Sequence, residues 1–238
     1  MVAMEQVVQI SYDDAVAFLL PRHYSGRKPV VSKAFGLIED GVLQAVITYG
    51  KPASPSACVG ICGKEYSGSV YELNRMCRTE NYTKPLSHFV ATTLRMLKPL
   101  DWIVVSYSDT AMNHHGYVYQ ACNFLYTGTS APHVDKYIPD GGGHNRHAES
   151  FDVRKDEFSV ERSIKHRYIY FCTSSKKLKS EWTRSLRYPV LPYPKGGNSN
   201  YELGTFIGKT VVNNSTGETV VIENSQRIER RPEQTFLF

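Results

Sequence analysis

The spacing of apolar residues predicts a helix followed by a β-hairpin near the start of the chain. An apolar stripe over residues 15–19 has helical spacing; a capping box that begins at Ser11 precedes it, and a proline ends it. Residues 34–39 and 42–49 are apolar or alternate between apolar and polar, as strands do. The dipeptide Asp40-Gly41 between them is typical of a two-residue type I′ turn, so we expect these two strands to pair.

The pattern that follows predicts a mixed sheet. Strands are expected over residues 69–78, 102–107 and 124–129, and the second of these, WIVVSY, is the most apolar. Helices are expected after Pro85 and over residues 113–122. Because antiparallel strands come first and strand–helix–strand segments follow, we predict an α/β fold with a mostly antiparallel sheet flanked by helices.

Changes of composition divide the chain into three predicted segments. Residues 1–135 hold the α/β core, and residues 136–195 form a basic, aromatic-rich extension of the same domain. Residues 196–238 begin with a linker composition, GGNSN, and form a C-terminal tail. Within this tail, residues 205–224 are expected to form a β-hairpin.

Composition indicates a globular, cytoplasmic protein. Of 238 residues, 41% are hydrophobic and 21% are charged, and no uncharged apolar run approaches the roughly 18 residues that a membrane helix needs. We find no signal-peptide pattern at the N-terminus. The five cysteines are an odd, scattered set, which favours free thiols in a reducing compartment. Cys58, Cys62 and Cys77 lack zinc-site spacing and are predicted to be buried strand thiols.

Positive charge is concentrated in one part of the chain. Residues 162–195 contain nine basic residues against one acidic residue, Glu181, so this segment exceeds the net charge of +5 of the whole chain. Such a field attracts polyanions and favours double-stranded DNA as a partner, although a solvated basic face is the alternative. The predicted DNA-binding residues are Arg162, Lys165, Arg167, Lys176, Lys177, Lys179, Trp182, Arg184 and Arg187. Trp182 is included as an aromatic ring on which a displaced base can stack.

The segment YQACNF, residues 119–124, resembles the Y-x-x-x-G-F signature of GNAT-type acyltransferases. The resemblance implies a GNAT-like core in which Tyr119 donates a proton to the leaving group; a packed aromatic on an amphipathic helix is the alternative. Acetyl-CoA is a candidate donor, but residues 79–84 lack the Gly-rich loop that usually holds its pyrophosphate. Arg75, Arg78 and Ser108 are the predicted cofactor-binding residues.

Longer motifs resemble a narrower family, the Mom DNA-modification proteins of bacteriophages. The similarity spans about residues 18 to 195, and its motifs are LPRHYSG at 20–26, YELNRM at 71–76, SYSD at 106–109, HGYVYQA at 115–121 and YPVLPYPK at 188–195. That family is GNAT-like and converts adenine in duplex DNA to N6-carbamoylmethyladenine, which shields phage DNA from host restriction. The resemblance therefore implies a DNA-modifying transferase that acts in the host cytoplasm.

The same resemblance implies a set of site residues. Members of the family have been linked to iron, and by motif the sensitive positions are His23, Tyr24 and Asp109, which would ligate iron or act in catalysis. The residues themselves leave a second possibility open, in which His23 is a general base oriented by Asp109. Asn74 is a further catalytic candidate because an amide can pair with adenine N6 and N7, whereas the alternative is pairing with neighbouring backbone.

Two other functions remain open from the sequence. One is an ordinary GNAT acyltransferase acting on a small amine or a protein, and the other is a DNA-binding protein without catalysis. The donor of the added group, the target DNA sequence and the oligomeric state, with a homodimer among the alternatives, are left open.

Overall fold

The computed structural model describes residues 5–136, 158–196 and 209–222. The strands in these ranges are β1 (Glu5–Gln9), β2 (Lys33–Glu39), β3 (Val42–Gly50), β4 (Val70–Arg78), β5 (Trp102–Asp109), β6 (Leu125–Thr129), β7 (His133–Lys136), β8 (Phe158–Arg162), β9 (Lys165–Cys172), β10 (Lys209–Asn213) and β11 (Thr219–Ile222). The α-helices are α1 (Tyr12–Leu19), α2 (Pro55–Cys62), α3 (Ser87–Leu97), α4 (Tyr117–Ala121) and α5 (Lys176–Ser185).

The larger of two sheets has seven strands in the order β1-β2-β3-β4-β5-β9-β6. Strands β4 and β5 are parallel, and the other neighbouring pairs of this sheet are antiparallel. A second, antiparallel sheet has the order β11-β10-β8-β7. The predicted α/β class with a mostly antiparallel sheet is therefore confirmed.

Local sequence signals account for the first elements and for the last hairpin. The Ser11 hydroxyl accepts a hydrogen bond from the Asp14 amide at 3.1 Å and caps α1. Asp40 and Gly41 adopt φ angles of 51° and 81°, the left-handed pair that a type I′ turn requires. The predicted C-terminal hairpin is present as β10 and β11.

Helices cover both faces of the larger sheet. Helices α1, α2 and α5 pack on one face, which we call the first face, and α3 and α4 pack on the other, the second face. The first-face core includes Val70, Ile169 and Trp182, whereas the second-face core includes Phe89 and Tyr168. Because side chains alternate along each strand, the face of every strand residue near the site follows from these assignments.

The basic, aromatic segment contributes to the centre of the sheet. Strand β9 lies between β5 and β6, so residues predicted as an extension complete the core; the segment boundaries at 135 and 195 remain predictions. The side chain of Trp182 is 1% exposed and packs on Phe171 with ring centroids 5.8 Å apart. The predicted stacking of Trp182 on a displaced base is therefore wrong, because a ring buried in the core has no surface to offer a base.

The first two cysteines of the chain lie on a helix. Cys58 and Cys62 belong to α2, where a proline occupies the first turn, so the predicted strand location of these two thiols is wrong. A short apolar run does not by itself distinguish a buried helix from a buried strand. Cys77 lies on β4 as expected, and all three thiols are buried and form no disulfide among the described residues.

Candidate functional site

A cleft of about 970 Å³ opens where β4 and β5 part. The two strands pair from Val70 with Ile103 to Leu73 with Ser106, after which β4 continues along β3 and β5 continues along β9. The gap between the diverging ends is lined by residues of both faces of the sheet. Predicted site residues that line it are His23, Tyr24, Asn74, Arg75, Arg78, Ser108, Tyr119 and Lys165.

A β-bulge at Asn74 determines which side chains share the first-face end of the cleft. Arg75 pairs with Thr48 and Leu73 pairs with Tyr49, so Asn74 is the extra residue. The bulge shifts the alternation by one, and Glu72 and Arg75 consequently lie on the same face. Simple alternation along the strand would place them on opposite faces, and the inserted residue changes this.

The amide of Asn74 has a structural role in this arrangement. Its Oδ1 accepts a hydrogen bond from the Thr48 hydroxyl at 2.7 Å, and its Nδ2 donates to the Val30 carbonyl at 2.7 Å. The first bond ties Asn74 to β3, and the second holds the loop before β2 against the sheet. The predicted contact of Asn74 with adenine is therefore wrong for this conformation, and the alternative of pairing with neighbouring groups holds.

His23 and Tyr24 form a stacked pair in the loop between α1 and β2. Their ring centroids are 4.5 Å apart with an angle of 27° between the planes. The Ser25 amide donates to Nδ1 of His23 at 3.1 Å, which places the proton of the neutral ring on Nε2. Burial, together with the charges of Arg75 and Lys165, lowers the pKa of His23 to about 3. This ring is therefore neutral at physiological pH and is not poised as a general base.

Glu72 is a carboxylate of the cleft that the sequence motifs do not assign to the site. It lines the first-face end of the cleft, and burial raises its pKa above the ordinary value of 4.5 although Arg75 and Lys165 oppose this shift. A carboxylate with a raised pKa inside a cleft is a candidate acid or base. The signal available in the sequence was an acidic residue inside a predicted strand.

The second-face end of the cleft carries Tyr119, Ser108 and Arg78. Tyr119 is buried, and this burial raises the pKa of its phenol to about 12. The Ser108 hydroxyl is buried without a hydrogen-bond partner in the described structure, as is Nε of Arg75. These polar atoms are suited to hydrogen-bond a bound ligand, because leaving them unpaired is costly. The location of Tyr119 fits the predicted proton donor.

The start of α3 does not resemble a pyrophosphate site. The Lys84 ammonium group contacts the carboxylates of Glu5 at 2.5 Å and Glu39 at 2.6 Å, and Arg78 donates to the Lys84 carbonyl at 3.0 Å. The cation nearest to the helix start is thus already neutralised by two carboxylates. Together with the missing glycine loop, this arrangement does not fit the pyrophosphate of coenzyme A.

Asp109 does not line the cleft itself but is held in an ion pair with Lys165, which does. Its Oδ2 lies 3.3 Å from the Lys165 ammonium group, and its Oδ1 accepts a hydrogen bond from the Ala111 amide at 3.0 Å. Both carboxylate oxygens therefore have protein partners. Among the described residues, no group of three or more His, Cys, Asp or Glu side chains is arranged to hold a metal ion. The predicted His23, Tyr24 and Asp109 set does not fit iron as these residues lie.

The predicted DNA-binding residues fall into two groups. Arg162, Lys176, Lys177, Lys179, Arg184 and Arg187 are exposed. The other two basic residues are partly buried: Lys165 pairs with Asp109, and the Arg167 guanidinium lies 3.4 Å from the ring centre of Tyr188. The exposed lysines and Arg184 belong to α5 and so lie on the first face, the side of the sheet from which Glu72 enters the cleft.

The sheet order and the parting of one parallel pair define this chain as a mixed α/β protein with a cleft at the centre of its larger sheet. Similar solved structures include an N-acetyltransferase from Staphylococcus aureus Mu50, with 12% identity, a TM-score of 0.44 and coverage of 71% of this chain and 99% of that chain. Another is the Drosophila melanogaster polyamine N-acetyltransferase, with 10% identity, a TM-score of 0.42 and coverage of 71% and 100%.

The chain belongs to the Mom protein family, whose pattern matches residues 5–195. The membership predicted from the sequence motifs is thereby confirmed. No curated protein matches the sequence. In the part of the chain that the structure describes, no helix is long and apolar enough to cross a membrane.

Proposed function

We propose that this protein is a transferase that adds a carbamoylmethyl group to N6 of adenine in double-stranded phage DNA and so protects it from host restriction. Membership of the Mom family supports DNA modification. The proposed chemistry rests on one observation: two titratable groups lie along one cleft, Glu72 at its first-face end and Tyr119 at its second-face end. Their separation suits a reaction with one base and one acid.

The proposed step joins the acceptor and an activated carbamoylmethyl donor. Adenine N6 attacks the donor carbon, and the N6–C bond forms as the bond between that carbon and the leaving group breaks. The proton lost from N6 passes to the Glu72 carboxylate, and the leaving group takes a proton from the Tyr119 hydroxyl. A phenol with a pKa of about 12 suits a basic leaving group, provided that water is excluded.

The chain's own residues would hold the donor in the cleft. Ser108 would hydrogen-bond its polar atoms from the second-face end of the cleft, since its hydroxyl is buried without a partner in the described structure. Neither iron nor coenzyme A fits the residues present, so no step is assigned to either group.

The first face supports a DNA-binding role. Helix α5 presents Lys176, Lys177, Lys179 and Arg184 to solvent there, and its buried side anchors it through Trp182. Because Glu72, Arg75 and Lys165 lie on the same face, a duplex held by α5 would approach the acceptor end of the cleft. Adenine N6 is paired inside a duplex, so the target base must be flipped to reach Glu72.

Nucleoside mass spectrometry tests the proposed function directly. We expect DNA from cells that express the full chain to contain carbamoylmethylated adenine, and DNA from cells with an empty vector to contain none. Unmodified adenine, together with acetyl transfer to a small amine in the absence of DNA, would instead support the ordinary acyltransferase.

The basic side of α5 gives a quantitative prediction. Changing Lys176, Lys177, Lys179 and Arg184 together to Ala should weaken binding to all duplex sequences alike, and each lost phosphate contact should flatten the slope of log K against log salt by about 1. The control is Arg95→Ala, which removes an exposed cation from α3 on the second face. Titrations at several salt concentrations measure both quantities; an unchanged slope in the quadruple variant would show that α5 is only a solvated surface.

A further inference from the structure

The ring pair His23–Tyr24 lies where a flipped base would enter. Both residues line the first-face end of the cleft, together with Glu72 and Tyr107. His114 approaches Tyr24 edge-on with ring centroids 6.3 Å apart, so aromatic rings from three separate segments meet there. A pocket that accepts a flipped base characteristically combines aromatic walls with a few polar groups at the base edge.

The hydrogen bonds of His23 indicate that its ring is not a metal ligand. The Ser25 amide can act only as a hydrogen-bond donor, and it donates to Nδ1 of His23 at 3.1 Å. The ring therefore carries its proton on Nε2, and neither nitrogen presents a lone pair to a metal. Asp109, the third member of the predicted set, already has both oxygens engaged by Lys165 and Ala111.

What the pair does offer is a rigid apolar surface. The His23 side chain is buried, its orientation is fixed by Ser25, and Tyr24 is stacked on it. Neighbouring polar groups are Glu72 and Arg75, which can meet the edge of a base. We propose that Tyr24 forms the wall against which the flipped adenine stacks, with the buried ring of His23 behind it as the positioning residue; this assignment rests on the proposed function.

The test compares Tyr24→Phe with Tyr24→Leu in the full chain. The probes are two duplexes of one sequence, in which a single 2-aminopurine is either mismatched, and so flips at lower cost, or correctly paired. We expect the parent and Tyr24→Phe to prefer the mismatched duplex. Tyr24→Leu should lower that preference by about 5- to 150-fold, the range for loss of one stacked base. Tyr12→Leu, which removes an exposed aromatic outside the cleft, is the matched control.

Base stacking and metal ligation by Tyr24 predict opposite results for Tyr24→Phe. If the hydroxyl ligated a metal, Tyr24→Phe would lose the preference for the mismatched duplex as fully as Tyr24→Leu does. It would also lose iron that the parent holds, which elemental analysis measures. Either result overturns the proposal, and so does a parent protein that shows no preference. Nucleoside mass spectrometry separates a failure of the stacking wall from a failure of the proposed function. Modified adenine with no role for Tyr24 overturns the stacking wall alone, whereas a Tyr24-dependent preference without modified adenine supports the wall and overturns the proposed reaction.

Discussion

Glu72→Gln is expected to reduce adenine modification by about 10²- to 10⁴-fold, the usual contribution of one general acid–base group. The amide keeps the size of the side chain but cannot take the proton that N6 loses. Turnover by the parent should also fall as the pH falls through the pKa of Glu72. Because burial raises that pKa, the acid limb should lie above pH 4.5 and should be absent from any residual activity of the variant.

The measurement is the yield of modified adenine as a function of time and pH, with DNA affinity determined in parallel. Glu65→Gln, an exposed carboxylate outside the cleft, is the matched control and should behave as the parent. Equal yields from Glu72→Gln and the parent would remove Glu72 from the proton transfer and leave the base unassigned. Loss of DNA binding together with loss of yield would instead assign Glu72 to recognition.

Gly50→Ala is expected to lower the free energy of unfolding by about 3 kcal/mol or more, since forced overpacking alone costs roughly 1–3 kcal/mol. A Cβ on Gly50 would lie 1.9 Å from the Val30 carbonyl oxygen, which is backbone and cannot rotate away. Moving Val30 would also break the 2.7 Å hydrogen bond from Asn74. The loop that carries His23 and Tyr24 would then be released from the sheet.

Urea unfolding of the two proteins measures this loss. Gly68→Ala is the matched control, because a Cβ there has nothing within 4 Å. We expect the control to unfold within about 0.5 kcal/mol of the parent, as surface substitutions usually do. A Gly50→Ala protein with the parent's stability would show that the loop can move away from β3 at no cost, and that its contact with the sheet does not hold the site together.

Local signals made much of the fold predictable. The capping box before α1, the Asp-Gly turn and the apolar face of α3 each act over a few residues, so the sequence carries them directly. The position of β9 depends on pairing with β5 and β6 across the chain. Its residues Lys165 and Arg167 alternate with aromatics, so the segment was interpreted as a basic surface although its other side completes the core.

Within the site, too, short motifs identify some residues from the sequence, whereas contacts between distant strands appear only in the structure. Separate motifs single out His23, Tyr24 and Tyr119, and the structure brings these residues together in one cleft. The ion pair of Asp109 with Lys165 joins two distant strands, and spacing along the chain gives no sign of it. The bulge at Asn74 is a single inserted residue whose effect appears only when β3 and β4 are aligned.

The parting of β4 and β5 has a kinetic consequence. On the proposed function, a cleft lined from both faces of the sheet would receive DNA at its Glu72 end and the donor at its Tyr119 end, so that one could be replaced while the other stays bound. A spent donor can therefore be exchanged while the duplex stays on α5. We therefore expect a processive enzyme, one that modifies several adenines of the same DNA molecule before it dissociates.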